Sequence, residues 1–238
     1  MTAAASFGPV ARSGVSDAVY VRLRDAILTG TLAAGTSLPG ERALAEQFGV
    51  ARHGLREAIR RLQQARLVEV SHGGATRVLD WRTHAGLEVL ADLAASPDLP
   101  VGAVLRSALE MRLAIGVDAA RLAAARATAS AAREIEDFVA GSADVSDPAV
   151  LAERYEQLWR LIVVAADNLA YRLAYNSLVL AMNQNAAVTR DLAAPEAADL
   201  PTQRALAAAI AAGDTDGAAS AARLLTSVML DRLASTVG

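Results

Sequence analysis

The chain has 238 residues, 53% of them hydrophobic and 21% charged, with a formal net charge of -3 and no cysteine. That length can bury a core in one or two domains, and the lack of cysteine excludes disulfides, thiolate metal sites and cysteine nucleophiles. The N-terminus has no signal-peptide pattern and no apolar run reaches about 18 residues, so a cytoplasmic protein with no membrane partner is expected.

Residues 1–14 are small and unpatterned and are expected to form a disordered tail. Ser16 can cap a helix whose apolar stripe is Val19, Val21, Leu23, Ala26, Ile27 and Leu28, ending near Gly30. A turn at Gly35 and the run Ser37-Leu38-Pro39 lead into a short helix over Glu41 to Phe48, closed by Gly49. Another helix starts near Ala51, with Leu55, Ile59 and Leu62 on one face. After Ala65 the period switches to two: Leu67 to Ser71 reads as a strand, His72-Gly73-Gly74 as a turn and Ala75 to Val78 as the returning strand. Three helices and a hairpin over 15–79 describe a winged helix-turn-helix, followed by a linker over 80–85.

From 86 to 238 the pattern is helical, with breakers at Ser96-Pro97, Gly141-Ser142, Asp147-Pro148, Asp167-Asn168, Pro195, Pro201 and Gly213-Asp214. Six or seven helices are expected: 86–95, 100–126, 129–140, 148–166, 168–190, 200–213 and 215–235. The fold class is thus mainly α, a winged helix-turn-helix followed by an all-α antiparallel bundle. All 23 basic residues are arginine, and the histidines are His53, His72 and His84, which leaves no histidine chemistry in the second part. Residues 1–80 carry ten arginines against seven acids, whereas 81–238 carry thirteen against nineteen. That split suits a nucleic-acid-facing part joined to an acidic part with other work.

Five arginines fall in one short segment: Arg52, Arg56, Arg60, Arg61 and Arg66. In a helix-turn-helix the second helix lies in the major groove with its N-terminal residues on the base edges, here Arg52, His53, Gly54 and Arg56. Arginine suits guanine because its fork of donors matches the two acceptors on that edge. Arg60 and Arg61 are placed for phosphate or solvent. The alternative is an ordinary solvated helix.

The run I-x-x-G-x-L-x-x-G-x-x-L-P-x-E-R-x-L-A from Ile27 to Ala45, then Leu55-Arg56-Glu57-Ala58, Leu62 and Arg66-Leu67-Val68, resembles the DNA-binding domain of the GntR family of bacterial regulators. The resemblance carries the DNA-contacting roles to Arg42, Arg52, Arg56 and the wing tip His72-Gly73, and implies a homodimer on a palindromic double-stranded operator. The family usually has small hydroxyl residues after the recognition arginine, where this chain has His53-Gly54.

The second part resembles the FadR-type effector domain, through the stretch from the wing into Gly86-Leu87-Glu88-Val89-Leu90, through Leu109-Glu110-Met111-Arg112 and through Tyr155-Glu156-Gln157-Leu158-Trp159. Most relatives hold a divalent metal with one Asp and three His. Tyr155 and Trp159 stand at the first two of those positions, and the others fall near Gln203 and Leu225. No metal or other cofactor is therefore expected, as in the acyl-CoA-sensing branch. The resemblance implies an amphipathic ligand such as a long-chain acyl-CoA, with Arg112 on its anionic end and Tyr155, Trp159, Met182 and Asn183 lining the cavity. The residues leave other readings open: Tyr155 and Trp159 as plain core, and Arg112 in a buried ion pair with Asp118 or with an acid on another helix.

The expected function is a ligand-responsive transcription regulator, repressor or activator, whose DNA affinity an acyl effector lowers through the linker Leu79 to Thr83. Alternatives are a sensor of a small carboxylate and a ligand-independent factor whose pocket its own side chains fill. An enzyme is not expected, since Cys, late His and a Gly-rich phosphate loop are all missing.

Overall fold

The structure, a computed structural model, describes residues 14–71, 74–96, 98–99 and 101–237. The expected tail, apart from Gly14, and the wing tip His72-Gly73 lie outside the described residues. The chain forms two compact units that divide between Val89 and Leu90.

In the first unit, α1 spans Gly14–Leu28, α2 Glu41–Phe48 and α3 Arg52–Gln64. Helix α3 buries Leu55, Ala58, Ile59 and Leu62, which recur at helical spacing on one face. That face packs on α1 and α2, against Val19, Leu23 and Ile27 of α1 and Leu44 of α2. Each fully buried leucine contributes roughly 1.5–3 kcal/mol. Gly49 ends α2 in the left-handed region, with φ of 65°, and its N–H reaches back to the helix carbonyls. Arg66 turns the chain out of α3 at φ of 53°, a conformation that costs a side-chain-bearing residue about 1–2 kcal/mol.

The hairpin pairs β1 (Val68–Val70) with β2 (Thr76–Val78) in antiparallel register, Val68 opposite Val78 and Val70 opposite Thr76. Segment 35–38 runs along the other side of β2: Leu38 N–H donates to Thr76 O at 2.8 Å and Val78 N–H to Thr36 O at 2.8 Å. The turn at Gly35 thus adds a third, unanticipated edge to the wing. The expected linker is built instead as a short helix, α4 (Trp81–His84), because the Asp80 carboxylate accepts the Arg82 N–H at 3.1 Å.

The second unit contains α5 (Leu90–Ala95), α6 (Val101–Arg126), α7 (Ala129–Ala140), α8 (Pro148–Ala165), α9 (Leu169–Asn183), α10 (Ala186–Ala198), α11 (Leu200–Ala212) and α12 (Thr215–Val237). Side chains of Thr128, Asp147, Asn168 and Asp199 accept N–H groups of the first turns of α7, α8, α9 and α11. Helices α6 and α12 pack along each other through small residues, Ala119 and Ala123 on one and Ala218 and Ala222 on the other, all fully buried. Around them Leu158, Ile162, Leu206 and Ile210 complete the core.

Two expectations need correction. The helix expected over 168–190 ends at Asn183, because Gln184 and Asn185 turn the chain and the Asn185 amide donates to Ala94 O at 2.8 Å. Pro195 is no breaker but lies inside α10, which forgoes one N–H and continues to Ala198.

Candidate functional site

Helix α3 opens without the features that usually settle a helix start. Its N-cap is Ala51, with no side-chain cap, and no acid occupies the first turn. Arg52 and His53 sit there instead, exposed, at the end of the helix that already carries partial positive charge. This arrangement costs stability in the free protein and is relieved by an anion or a base edge. Arg56 is exposed and donates to Glu41 at 2.7 Å, and Arg42 donates to Glu46 at 3.0 Å. Exposed pairs of this kind are worth about 0–1 kcal/mol, so either arginine is readily released to another acceptor. Arg61 has a different role: it meets Asp17 and lies 4.1 Å over the Tyr20 ring, fastening α3 to α1. A Cβ at Gly54 would meet nothing within 4 Å, so no packing requires a glycine there.

The second unit contains a partly open cavity of about 260 Å³. All five expected effector residues line it: Arg112 from α6, Tyr155 and Trp159 from α8, Met182 and Asn183 from α9. Tyr155 and Trp159 meet edge to face at 6.3 Å. Gly116 lets the Trp159 ring lie against α6; a Cβ there would sit 3.4 Å from the ring and 3.3 Å from Thr226.

Arg112 is not free to grip a ligand. The acid on it is Glu196 of α10 rather than Asp118, which pairs with Arg121 at 2.7 Å. One guanidinium nitrogen donates to Glu196 Oε2 at 2.6 Å and the other to Oε1 at 3.3 Å. The Tyr155 hydroxyl donates to Oε2 at 2.9 Å and the Met229 N–H to Oε1 at 2.9 Å. Burial works against the charge on Arg112, but the Glu196 carboxylate and Tyr155 outweigh it and hold the guanidinium above its ordinary pKa. Burial likewise pushes the Tyr155 and Tyr175 hydroxyls up. Among the described residues the buried Trp159 indole N–H makes no hydrogen bond of normal geometry, the Tyr155 side chain being its polar neighbour.

The positions matched to a metal set hold few donors. The Gln203 amide donates to Glu196 O at 2.9 Å and Ala197 O at 3.0 Å, and Leu225 is buried hydrocarbon. Among the described residues, no three His, Cys, Asp or Glu gather closely enough to hold a metal ion. Sequence reasoning missed Glu196, Gly116 and Arg190, an exposed arginine at the cavity. Glu196 left one signal, a lone acid in the apolar run from Leu192 to Ala198.

Residues 15–78 match the gntR family of bacterial regulatory proteins, and residues 107–227 match the FCD domain. The HTH-type transcriptional regulator Mce2R of Mycobacterium tuberculosis is 38% identical over 218 residues, 90% of each chain. The fatty acid metabolism regulator protein of Serratia proteamaculans is 33% identical over 144 residues, covering 60% of this chain and 59% of that one. Among solved structures, Lar, which controls the agr system of Listeria monocytogenes, superposes with a TM-score of 0.55 at 15% identity, over 97% of this chain and 99% of that one. The first unit carries the winged helix with its uncapped, arginine-bearing α3, and the second carries the cavity. The chain belongs to the GntR family of transcriptional regulators, with an FCD domain as its second unit.

Proposed function

We propose that this regulator binds a palindromic operator as a homodimer in the cytoplasm, and that an acyl ligand in the helical cavity lowers its DNA affinity. The observation that carries the sensing half is the cavity of about 260 Å³, lined chiefly by Ile115, Trp159, Val163, Leu178 and Met182 among its apolar residues. It exceeds the roughly 150 Å³ that admits a benzene-sized guest and lies just under the roughly 300–1,000 Å³ of drug-sized ligand sites. A medium-length acyl body fits that space, and its anionic outer end can meet exposed Arg190, which has no acid partner among the described residues. The distant relative named as a fatty acid metabolism regulator supports the same class.

Open space of this size counts against a pocket filled by its own side chains, and Glu196 on Arg112 counts against a small-carboxylate sensor. The site works without a metal: Tyr155, Trp159, Gln203 and Leu225 supply no ligand set. For the dimer, Leu169, Leu173 and Leu180 form an apolar stripe on α9 at 69%, 59% and 59% exposure, a face suited to a second copy. Among the described residues no helix is long and apolar enough to cross a membrane. Native mass spectrometry of the purified protein tests both halves, with dimer mass and a co-purifying acyl molecule expected. A monomer would refute the first, and failure to bind any added acyl compound the second.

A further inference from the structure

We propose that Asn185 is the residue that carries occupancy of the cavity to α5, the helix with which the second unit begins. The inference rests on reading the cavity as the effector site. The two-residue elbow Gln184-Asn185 lies between two segments that both line the cavity, Met182 and Asn183 at the end of α9 and Ala186, Thr189 and Arg190 at the start of α10. A single hydroxyl fastens the elbow from the cavity side: Thr189 Oγ1 lies 3.1 Å from Met182 O, 3.2 Å from Asn185 O and 3.4 Å from Ala186 O, and shares its one proton among them. A body seated in the cavity therefore presses on both arms of the elbow and on the group that holds them together.

Asn185 stands at the N-cap of α10, where an asparagine ordinarily accepts an N–H of the first turn, yet its side chain makes no such bond. The amide instead donates to Ala94 O at 2.8 Å, across 91 residues. Ala94 O is among the last carbonyls of α5, which have no partner within their own helix. A helix of six residues has almost no stability of its own, so its final turn follows whatever caps it. Helix α5 packs on α9 and α6 and buries Leu93 and Ala94. Its first residue, Leu90, follows directly in the chain on Val89, where the first unit ends. The elbow thus ties the cavity wall to the helix of the second unit that is continuous in chain with the winged-helix unit. A run of specific hydrogen bonds ending on an element too short to resist it is a physical route for coupling.

The test uses the full chain with octanoyl-CoA and a duplex selected from a random library. Amide hydrogen exchange in peptides covering residues 90–96 is expected to change when octanoyl-CoA binds the wild type, and to stay unchanged in Asn185→Ala and Asn185→Leu, which lack the donor. Both variants should bind octanoyl-CoA, by isothermal titration, and the duplex alone, by fluorescence anisotropy, as the wild type does. The rise in duplex Kd caused by saturating octanoyl-CoA should shrink by about fivefold in each, the worth of one hydrogen bond. Gln184→Ala, at the exposed neighbour in the same elbow, should keep the full rise. A full rise in both Asn185 variants, or exchange in α5 that ignores bound octanoyl-CoA in the wild type, would overturn the inference while leaving the effector cavity standing. A wild type that binds no octanoyl-CoA, or binds it with no change in duplex Kd, would overturn the effector reading itself. The wild-type exchange decides the matter even where a variant fails to fold.

Discussion

Removing one member of the Arg112–Glu196 pair should cost more than removing both. Glu196→Ala strands a guanidinium whose side chain is 11% exposed, and also deprives the Tyr155 hydroxyl and Met229 N–H of their acceptor. A buried charge left without its partner costs about 3–5 kcal/mol, and Arg112→Met, which strands the carboxylate, belongs in the same range. The double variant Arg112→Met with Glu196→Leu removes both buried charges but still leaves the Tyr155 hydroxyl and Met229 N–H without an acceptor, so it should cost about 1–3 kcal/mol, less than either single change. Urea unfolding followed by tryptophan fluorescence reads this directly. The chain has two tryptophans, so Trp81→Phe leaves Trp159, which lies edge-on to Tyr155, as the reporter of the helical unit. The reasoning is refuted if each single change costs under about 1 kcal/mol, the range of a solvated surface pair.

Other outcomes follow from the same geometry. Arg52→Ala and Arg56→Ala should each cost about 1–3 kcal/mol on a duplex selected from a random library and relax preference at one base pair. Arg61→Ala should instead lower stability with base preference intact, since that side chain fastens α3 to α1. Gly54→Ala should stabilise the winged-helix unit by up to about 1 kcal/mol in thermal unfolding, since its Cβ enters open space. Tyr155 and Tyr175 have pKa values raised by burial above the ordinary 10.0. Raised groups stabilise the fold below the unfolded value and lose that contribution as pH climbs past it. The helical unit should therefore weaken above about pH 10, and Tyr155→Phe should blunt that loss in alkaline urea titrations.

Local signals made much of the fold readable. Pro39 and Gly49 bracket α2, and it runs from Glu41 to Phe48 as their positions imply. The breakers Asp147-Pro148 and Pro201 placed the starts of α8 and α11 within a residue or two. The break at Gln184 was hidden because nothing in the local pattern interrupts the helix; what fixes it is a bond from Asn185 to Ala94, 91 residues away. The effector residues were partly legible for a similar reason. Tyr155 and Trp159 share a face by spacing alone, whereas Glu196 reaches Arg112 across 84 residues and follows a proline that reads as a helix end. A charge's partner is a tertiary fact: the pattern left Arg112 open between a ligand's anionic end and an acid on another helix, and the fold supplies Glu196. The arginines of α3 show the same limit, since Arg61, placed for phosphate or solvent by its spacing, meets Asp17 once α1 is in place.

The central claim is that occupancy of the helical cavity weakens the grip of the winged helix on DNA. Fluorescence anisotropy of a library-selected duplex, titrated with the full chain in constant salt with and without saturating octanoyl-CoA, measures it directly. The account predicts a 5–150-fold rise in Kd, roughly 1–3 kcal/mol of coupling. An unchanged Kd in the presence of bound octanoyl-CoA would contradict it.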